Sequence, residues 1–596
     1  GSGFKNRVTS NQSFLGGGCL NLVSGSTSAV VAGFKNTASA STSFIGAGAN
    51  NFLNAATSGI VAGAQNTSSA NCSFIGAGQC NKACGNSRYG GIVSGFRNTL
   101  SGGYFSFIGG GTTNTVSGYY AAIAGGSLNT ISAYYSFIGA GQVNCITTSG
   151  YNAGIVAGIF NLASGDSSII GGGCKNLASG NYSFVGGGTF NTASAVATFI
   201  GGGQNNTSSG ACSFVGGGCN NKIQSGDAFS VIGGGKSNSM GSGCGFIGGG
   251  VENCIIGGSS GNAGGGIIVG GQCNQITTTT TGVNNTIVGG ACNCINATIS
   301  PNSFIGGGCK NLLLLGTAKC NSIIVGGQQN TASGAFAFIG GGCGNVTQTN
   351  SHIVIVGGTL NTASGACSFI GGGQENTSSA SYTFIGGGTC NNIEGNCSSI
   401  VGGTCNEITR VNGNGAIEHN FIGGGSQNHI CNHSKSVVAG GATNNITGDP
   451  DSNFGCHFMG AGSTNQINCR SNLSSIVGGC TNFISGSCAF IGGGGFNIAR
   501  ETGSAVVAGA HNTSSANHSF VGAGTFNFVS SSRAGVVAGC LNRIFSASDA
   551  NAFIGGGHCN IIAGWETTGS TNSVIGGGAC NKILAATASR DGNNFI

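Results

Sequence analysis

The stretch Ser183-Phe184-Val185-Gly186-Gly187-Gly188-Thr189-Phe190-Asn191-Thr192-Ala193-Ser194 is the unit from which the whole chain is copied. With the Asn as phase mark, Gly-x-x-Asn recurs at Asn176, Asn191, Asn206 and Asn221, and from Asn6 to Asn81, every 15 residues. There are 36 such marks, the last at Asn581, and each has Gly three residues before the Asn. Self-similarity of this length is the signature of a repeat array, so the period is read before any local motif.

Composition narrows the class. One repeat spans 596 residues, which argues for a single continuous array over residues 1–596 and against several globular domains. The 122 glycines come with only two prolines, Pro301 and Pro450, unlike collagen or a Pro-rich linker. Charged residues make up 5% of the chain, against about 25% in ordinary soluble domains. A net charge of +6 over this length is too dilute for a phosphate-binding stripe, so no nucleic-acid partner is expected. No apolar run reaches the ~18 residues of a membrane-spanning helix.

A short strand precedes each Asn. The sixth residue back is Ile or Val in all but two of the 35 complete copies (Leu15 and Met459) and the fourth is Gly or Ala in all but one (Ser94), so period-two alternation puts both on the inner face. Val185, Ile200 and Val215 are therefore coil-interior residues. On the opposite face, eighteen copies carry Phe seven back, each with Gly five back; in eight of the twelve copies with Val at position five, as at Val31, Val156 and Val507, position seven shrinks to Ala, Gly or Ser. Exchange of volume between neighbours is what close packing demands. The expectation is that this face is buried too, with Phe184, Phe199, Phe214, Val156 and Val507 contacting partner chains in a homo-oligomer.

Past the Asn lies a second short strand, such as Thr192-Ala193-Ser194, then a Ser/Gly-rich return turn that takes every departure from 15 residues, as solenoids allow. Trp565 and both prolines fall in the longer turns. Gly-x-x-Asn reads as a tight corner: Gly188, Gly203 and Gly218 supply positive φ, and Asn191, Asn206 and Asn221 tolerate the left-handed region and stack as an amide ladder. At about 4.8 Å per coil, 36 coils predict a rod on the order of 170 Å.

The unit S-F-[IV]-G-G-G-x-x-N-T-A-S-G resembles the head repeats of trimeric autotransporter adhesins and similar Gly- and Asn-rich tail-fibre and surface-fibre repeats. The resemblance implies a left-handed parallel β-roll and a homotrimer. It departs from that family in its 15-residue unit, where 14 is typical, in its triple Gly and in its many cysteines. The fold class expected is all-β, a parallel β-solenoid of about 36 coils with two short strands per coil. The function expected is a rigid extracellular or virion-surface fibre or adhesin shaft, without catalysis or cofactor, its partner being itself and a receptor or glycan open. The alternative is an ice- or glycan-binding solenoid using outward ladders such as Thr99, Thr115 and Thr130.

Other chemistry is weighed against these readings. The 13 carboxylates are scattered, and the nearest pair, Asp449 and Asp451, reads as a solvated turn. His429, Cys431 and His433 alternate and would share one strand face near His419, but they lack the usual zinc spacings, so no metal site is expected. Gly233-Gly234-Gly235-Lys236-Ser237 imitates a phosphate-binding loop, yet Ser230 stands where that motif needs its first Gly. Fourteen of 28 cysteines lie in the two residues before an Asn. In successive copies, as at Cys273 and Cys292 or Cys390 and Cys405, stacking brings them within disulfide reach, with unpaired thiols as the other reading. Gly1-Ser2-Gly3-Phe4-Lys5-Asn6 is the second half of a unit and Thr587 to Asn594 is turn-like, so the chain is expected to belong to a longer fibre or to stack end to end.

Overall fold

The computed structural model describes residues 2–241, 243–257, 265–278, 284–297, 302–316, 321–410, 418–448, 455–468, 472–546, 551–564, 572–585 and 594–596. Pro301, Asp449, Pro450, Asp451, Trp565 and residues 587–593 lie outside these ranges. The chain divides into two compact units, Gly1–Asn302 and Ser303–Ile596. The same coil builds both.

Each coil contributes two short strands, one before and one after its Asn. In the coil of Asn191 these are Phe184–Val185 and Thr192–Ala193. Pairing is parallel, one coil apart: Phe184 with Phe199 and Val185 with Ile200, Thr192 with Thr207 and Ala193 with Ser208. A third contact, at the residue two before the Asn, joins Cys174, Thr189, Gln204 and Cys219 in succession. The structure is thus an all-β parallel β-solenoid, and the described residues contain no helix.

The backbone bonds between two coils show why so small a cross-section holds. Phe184 and Gly186 donate to Thr198 and Ile200 at 2.8 Å, Thr189 to Gly203 at 2.9 Å, Thr192 to Asn206 at 2.8 Å and Ser194 to Ser208 at 3.0 Å. Two further N–H groups point the opposite way, Phe190 to Cys174 (3.0 Å) and Ala197 to Asn181 (2.8 Å). Satisfying the backbone in this way lets the chain dispense with charge pairs.

The interior is one column per strand, aliphatic throughout before the Asn and, after it, interrupted by buried Ser68, Ser208, Thr347, Ser378 and Ser514. Val185, Ile200 and Val215 have no exposed surface, nor do Ala193 and Ile223 two residues past their Asn. Burying one such aliphatic side chain is worth about 1.5–3 kcal/mol. Between these columns runs a row eight residues before each Asn, mostly Ser, as at Ser43, Ser183 and Ser213. Several of these hydroxyls donate to the next coil's turn, Ser106 to Gly118 at 2.8 Å and Ser136 to Gly150 at 3.0 Å.

The residue four before the Asn does not join the interior. A Cβ on Gly187 or Gly249 would meet no atom within 4 Å. The strand is only two residues long before the chain bends, so alternation cannot be extended from position six to position four. Insertions lengthen the second strand: Gln275–Thr278, Cys294–Ala297 and Leu312–Leu315 each have four residues, with Thr278, Ala297 and Leu315 again buried.

Candidate functional site: the Asn corner and the outer aromatic face

Two residues give the Asn corner its shape. Gly188 sits at φ 87, and a Cβ there would lie 2.0 Å from the Gly203 carbonyl oxygen of the next coil and 2.7 Å from Asn191 Nδ2. No side chain fits, which explains a Gly at every such position. The left-handed residue beside it is the one before the Asn, not the Asn itself: Phe190 has φ 59, and Lys5, Lys35, Arg97 and Lys175 hold the same conformation at their corners. A second left-handed corner lies nine residues before the Asn, at Tyr182, Ala197 and Cys212. Each costs about 1–2 kcal/mol in a residue with a Cβ, so the corners persist only because the ladders on either side fix them.

The Asn, freed from making the turn, is buried and bonds to two coils besides its own. Asn191 Nδ2 donates to Gly187 O in its own coil (2.9 Å) and to Gly203 O in the next (2.9 Å). Its Oδ1 accepts the Asn206 backbone N–H at 3.0 Å, while the Asn191 N–H reaches back to Asn176 Oδ1 at 3.0 Å. Asn206 and Asn221 repeat the set with Gly202, Gly217, Gly218 and Gly235. The ladder is therefore mainly side chain to backbone, with direct amide contacts such as Asn206 Nδ2 to Asn191 Oδ1 (3.2 Å) added in some coils.

The outer face has its own logic. Phe at position seven lays its ring over the Gly two residues on: a Cβ on Gly186 would come 3.4 Å from Phe184 Cε1, and on Gly216 3.3 Å from Phe214 Cε1. The Phe/Val exchange is thus satisfied inside one coil, on a face that is open in the single chain. Phe214, Val156 and Val507 are exposed and Phe184 and Phe199 half-buried. Where Phe occurs in successive coils the rings stack, Phe184 on Phe199 at 4.8 Å and Phe199 on Phe214 at 5.0 Å. From eight to three residues before the Asn, no complete copy carries Lys, Arg, Asp or Glu. Charge is kept to the corners, the second-strand face and the return turns; at four corners a cation lies 4.8–5.1 Å from a Phe ring centroid (Lys5, Lys35, Arg97 and Lys175).

Several features escape a reading of the repeat alone. Tyr89, Phe105, Tyr120 and Tyr135 stack on the left-handed corner at 4.9–5.2 Å, beside a second row of Tyr104, Tyr119, Tyr134 and Tyr151. The signal was present as seven of nine tyrosines within one short stretch. Asp227 stands on the inner side of a return turn, 7% exposed, with Oδ2 unbonded, and burial pushes its carboxyl up to about 6 against a backbone hydrogen bond at Gln224.

His429, Cys431 and His433 do not share a face. The strand stops at Cys431 and Asn432 turns at φ 57, so Cys431 and His433 are buried while His429 is half-exposed and bonds Thr409 Oγ1 at 2.5 Å. His433 packs edge-on against buried His457 at 4.6 Å, and His419 lies 3.8 Å from Glu418. Burial lowers the His429 imidazole from its ordinary value. Among the described residues no three His, Cys, Asp or Glu side chains converge on a metal position. Gly233–Ser237 is an ordinary corner, with Gly235 at φ 94 and Lys236 in the ladder between Cys219 and Val251. The described cysteines are free thiols; Cys273 and Cys390 each donate to a Glu one coil back, Glu252 (3.3 Å) and Glu375 (3.4 Å). No helix among the described residues is long and apolar enough to cross a membrane. No known protein family matches the chain, and no curated protein is similar to it.

Proposed function

We propose that this chain is a structural element, a stiff shaft that carries load or spacing on the surface of a cell or virion and does no chemistry of its own. The observation behind this reading is the Asn corner: one side chain per coil ties its own coil to the coils before and after it, and the tie recurs without interruption within each unit. Stability in such an array is a sum of coil terms and nearest-neighbour terms, so stiffness scales with repetition and needs no special site. The scarcity of charge and the resemblance to surface-fibre repeats support an extracellular setting.

An ice- or glycan-binding role through threonine ladders is less well supported. Thr99, Thr115 and Thr130 stack in register, but Lys82 precedes them and Cys145 follows them in the same row. Stretching single molecules by their ends tests the shaft. It should hold its coils under load and release them in discrete steps of one or a few coils; smooth extension from the lowest force would overturn the proposal.

A further inference from the structure

The outer aromatic face carries a second period, twice the length of the coil. Through ten consecutive coils of the first unit, from Asn21 to Asn161, position seven alternates between Phe14, Phe44, Phe74, Phe107 and Phe137 and the small residues Ala29, Gly59, Gly91, Ala122 and Gly154. The five rings are 43% to 56% exposed. Val31, Val61, Val93 and Val156 stand at position five of four of the small-residue coils and Ala124 at that of the fifth, leaving position seven open; a Cβ on Gly154 meets nothing within 4 Å. The face is therefore a row of rings with a slot after each.

The slot has the width of a ring. Rings in alternate coils lie two coil rises apart, about 9.6 Å, so a ring set midway is about 4.8 Å from each neighbour. That is the spacing at which this chain stacks its own rings where Phe occurs in successive coils: 4.8 and 5.0 Å in the Phe184–Phe214 run, with planes 11° and 7° apart.

We propose that the slots are filled by the rings of a second copy of this chain, packed antiparallel across a two-fold axis that runs along the strand direction midway between two coils. Such an axis exchanges neighbouring coils, so every Phe coil faces a small-residue coil of the other copy, Phe meets Ala or Gly at position seven, and Val (Ala in one coil) meets Gly at position five. The contact is isologous and closes as a pair. Ten coils of a face about five residues wide present roughly 750 Å² per copy, or roughly 1,500 Å² in total, within the range of stable specific interfaces. A different protein would find no charge on this face to read, whereas a second copy matches its relief with nothing added. The run stops at Ile169 in the next coil, and beyond it the successive rings of Phe184, Phe199 and Phe214 leave no slot.

Sedimentation equilibrium of the native protein tests this beside two variants. In Gly59→Phe/Val61→Gly/Gly91→Phe/Val93→Gly two of the five slots are filled from within, apolar area being kept; Gly59 and Gly91 have room, the nearest atoms to an added Cβ being 3.9 and 3.8 Å away. In Phe44→Ala/Phe74→Ala/Phe107→Ala the rings are removed. The native chain should be a dimer, and both variants should weaken it at least tenfold with circular dichroism unchanged. A native monomer overturns the proposal, a trimer overturns the two-fold pairing, and a slot-filled variant that pairs as tightly as the native chain shows undirected apolar adhesion instead.

Discussion

Replacing Asn191 by Ala should cost far more than an exposed substitution in the same coil. The change leaves the buried Asn206 N–H without its 3.0 Å acceptor and takes a donor from Gly187 O and Gly203 O. Gly203 O keeps the Thr189 N–H, and Gly187 is near enough to the surface to find water, so the orphaned N–H dominates. An unsatisfied buried donor costs about 1–3 kcal/mol; with the lost bonds and the cavity the sum is about 2–5 kcal/mol. The loss should be local, because each coil contacts only its neighbours. Hydrogen exchange read by mass spectrometry should show faster exchange in the coils from Asn176 to Asn221 and unchanged protection beyond. Asn191→Asp keeps one acceptor but points a carboxylate at two carbonyl oxygens, which raises its folded-state pKa above the ~3.9 of an unfolded chain. It should be tolerated best below about pH 4 and lose stability as pH rises. Asn191→Ala with Asn206→Ala should cost less than the sum of the two, since they share a bond. Protection that is unchanged in Asn191→Ala, or lost evenly along the chain, would refute the reasoning.

Gly203→Ala forces a Cβ to within 2.1 Å of the Gly218 carbonyl at φ 92, so it should destabilise by about 3 kcal/mol or more and open the coils of Asn206 and Asn221, as urea melts with local exchange would show. Ile200→Ala should cost about 2–5 kcal/mol by the same assay, being wholly buried. Asp227 has a folded-state value of about 6 against ~3.9 unfolded, so its neutral form supports the fold below about pH 4 and that support is lost between pH 4 and 6. Asp227→Asn should therefore gain about 1–3 kcal/mol at pH 7 and little at pH 3.5; equal effects at both would contradict the burial argument. Hydrogen bonding to Glu375, with burial and the nearby Cys405, pushes the Cys390 thiol up to about 11, so at pH 8 Cys390 should alkylate on the order of tenfold or more slowly in the native chain than in Glu375→Gln.

The coil and its register were legible because every copy repeats them. Gly188 and Asn191 mark the corner, and an Ile or Val six back fixes the inner face. Finer geometry was not, and for particular reasons. A two-residue strand cannot carry alternation to Gly187, which points to open space instead. Asn is the common non-Gly choice for a left-handed residue, so the sequence points to Asn191; Phe190 holds that conformation instead, because backbone bonds to the coils on either side pin it. The exchange between Phe184-type and Val156-type coils is visible in the sequence, but its cause, a ring lying over its own Gly, depends on the side-chain rotamer, which the repeat does not specify. His433 and His457 are 24 positions apart, and nothing in a 15-residue period announces that they meet.

The most direct test of the account is an electron cryo-microscopy map of the native protein at side-chain resolution. It should show parallel rungs about 4.8 Å apart with an inward Asn side chain at the same corner of every coil, bridging to the rungs on either side. Antiparallel strand pairing, or Asn side chains turned to solvent at those corners, would contradict it.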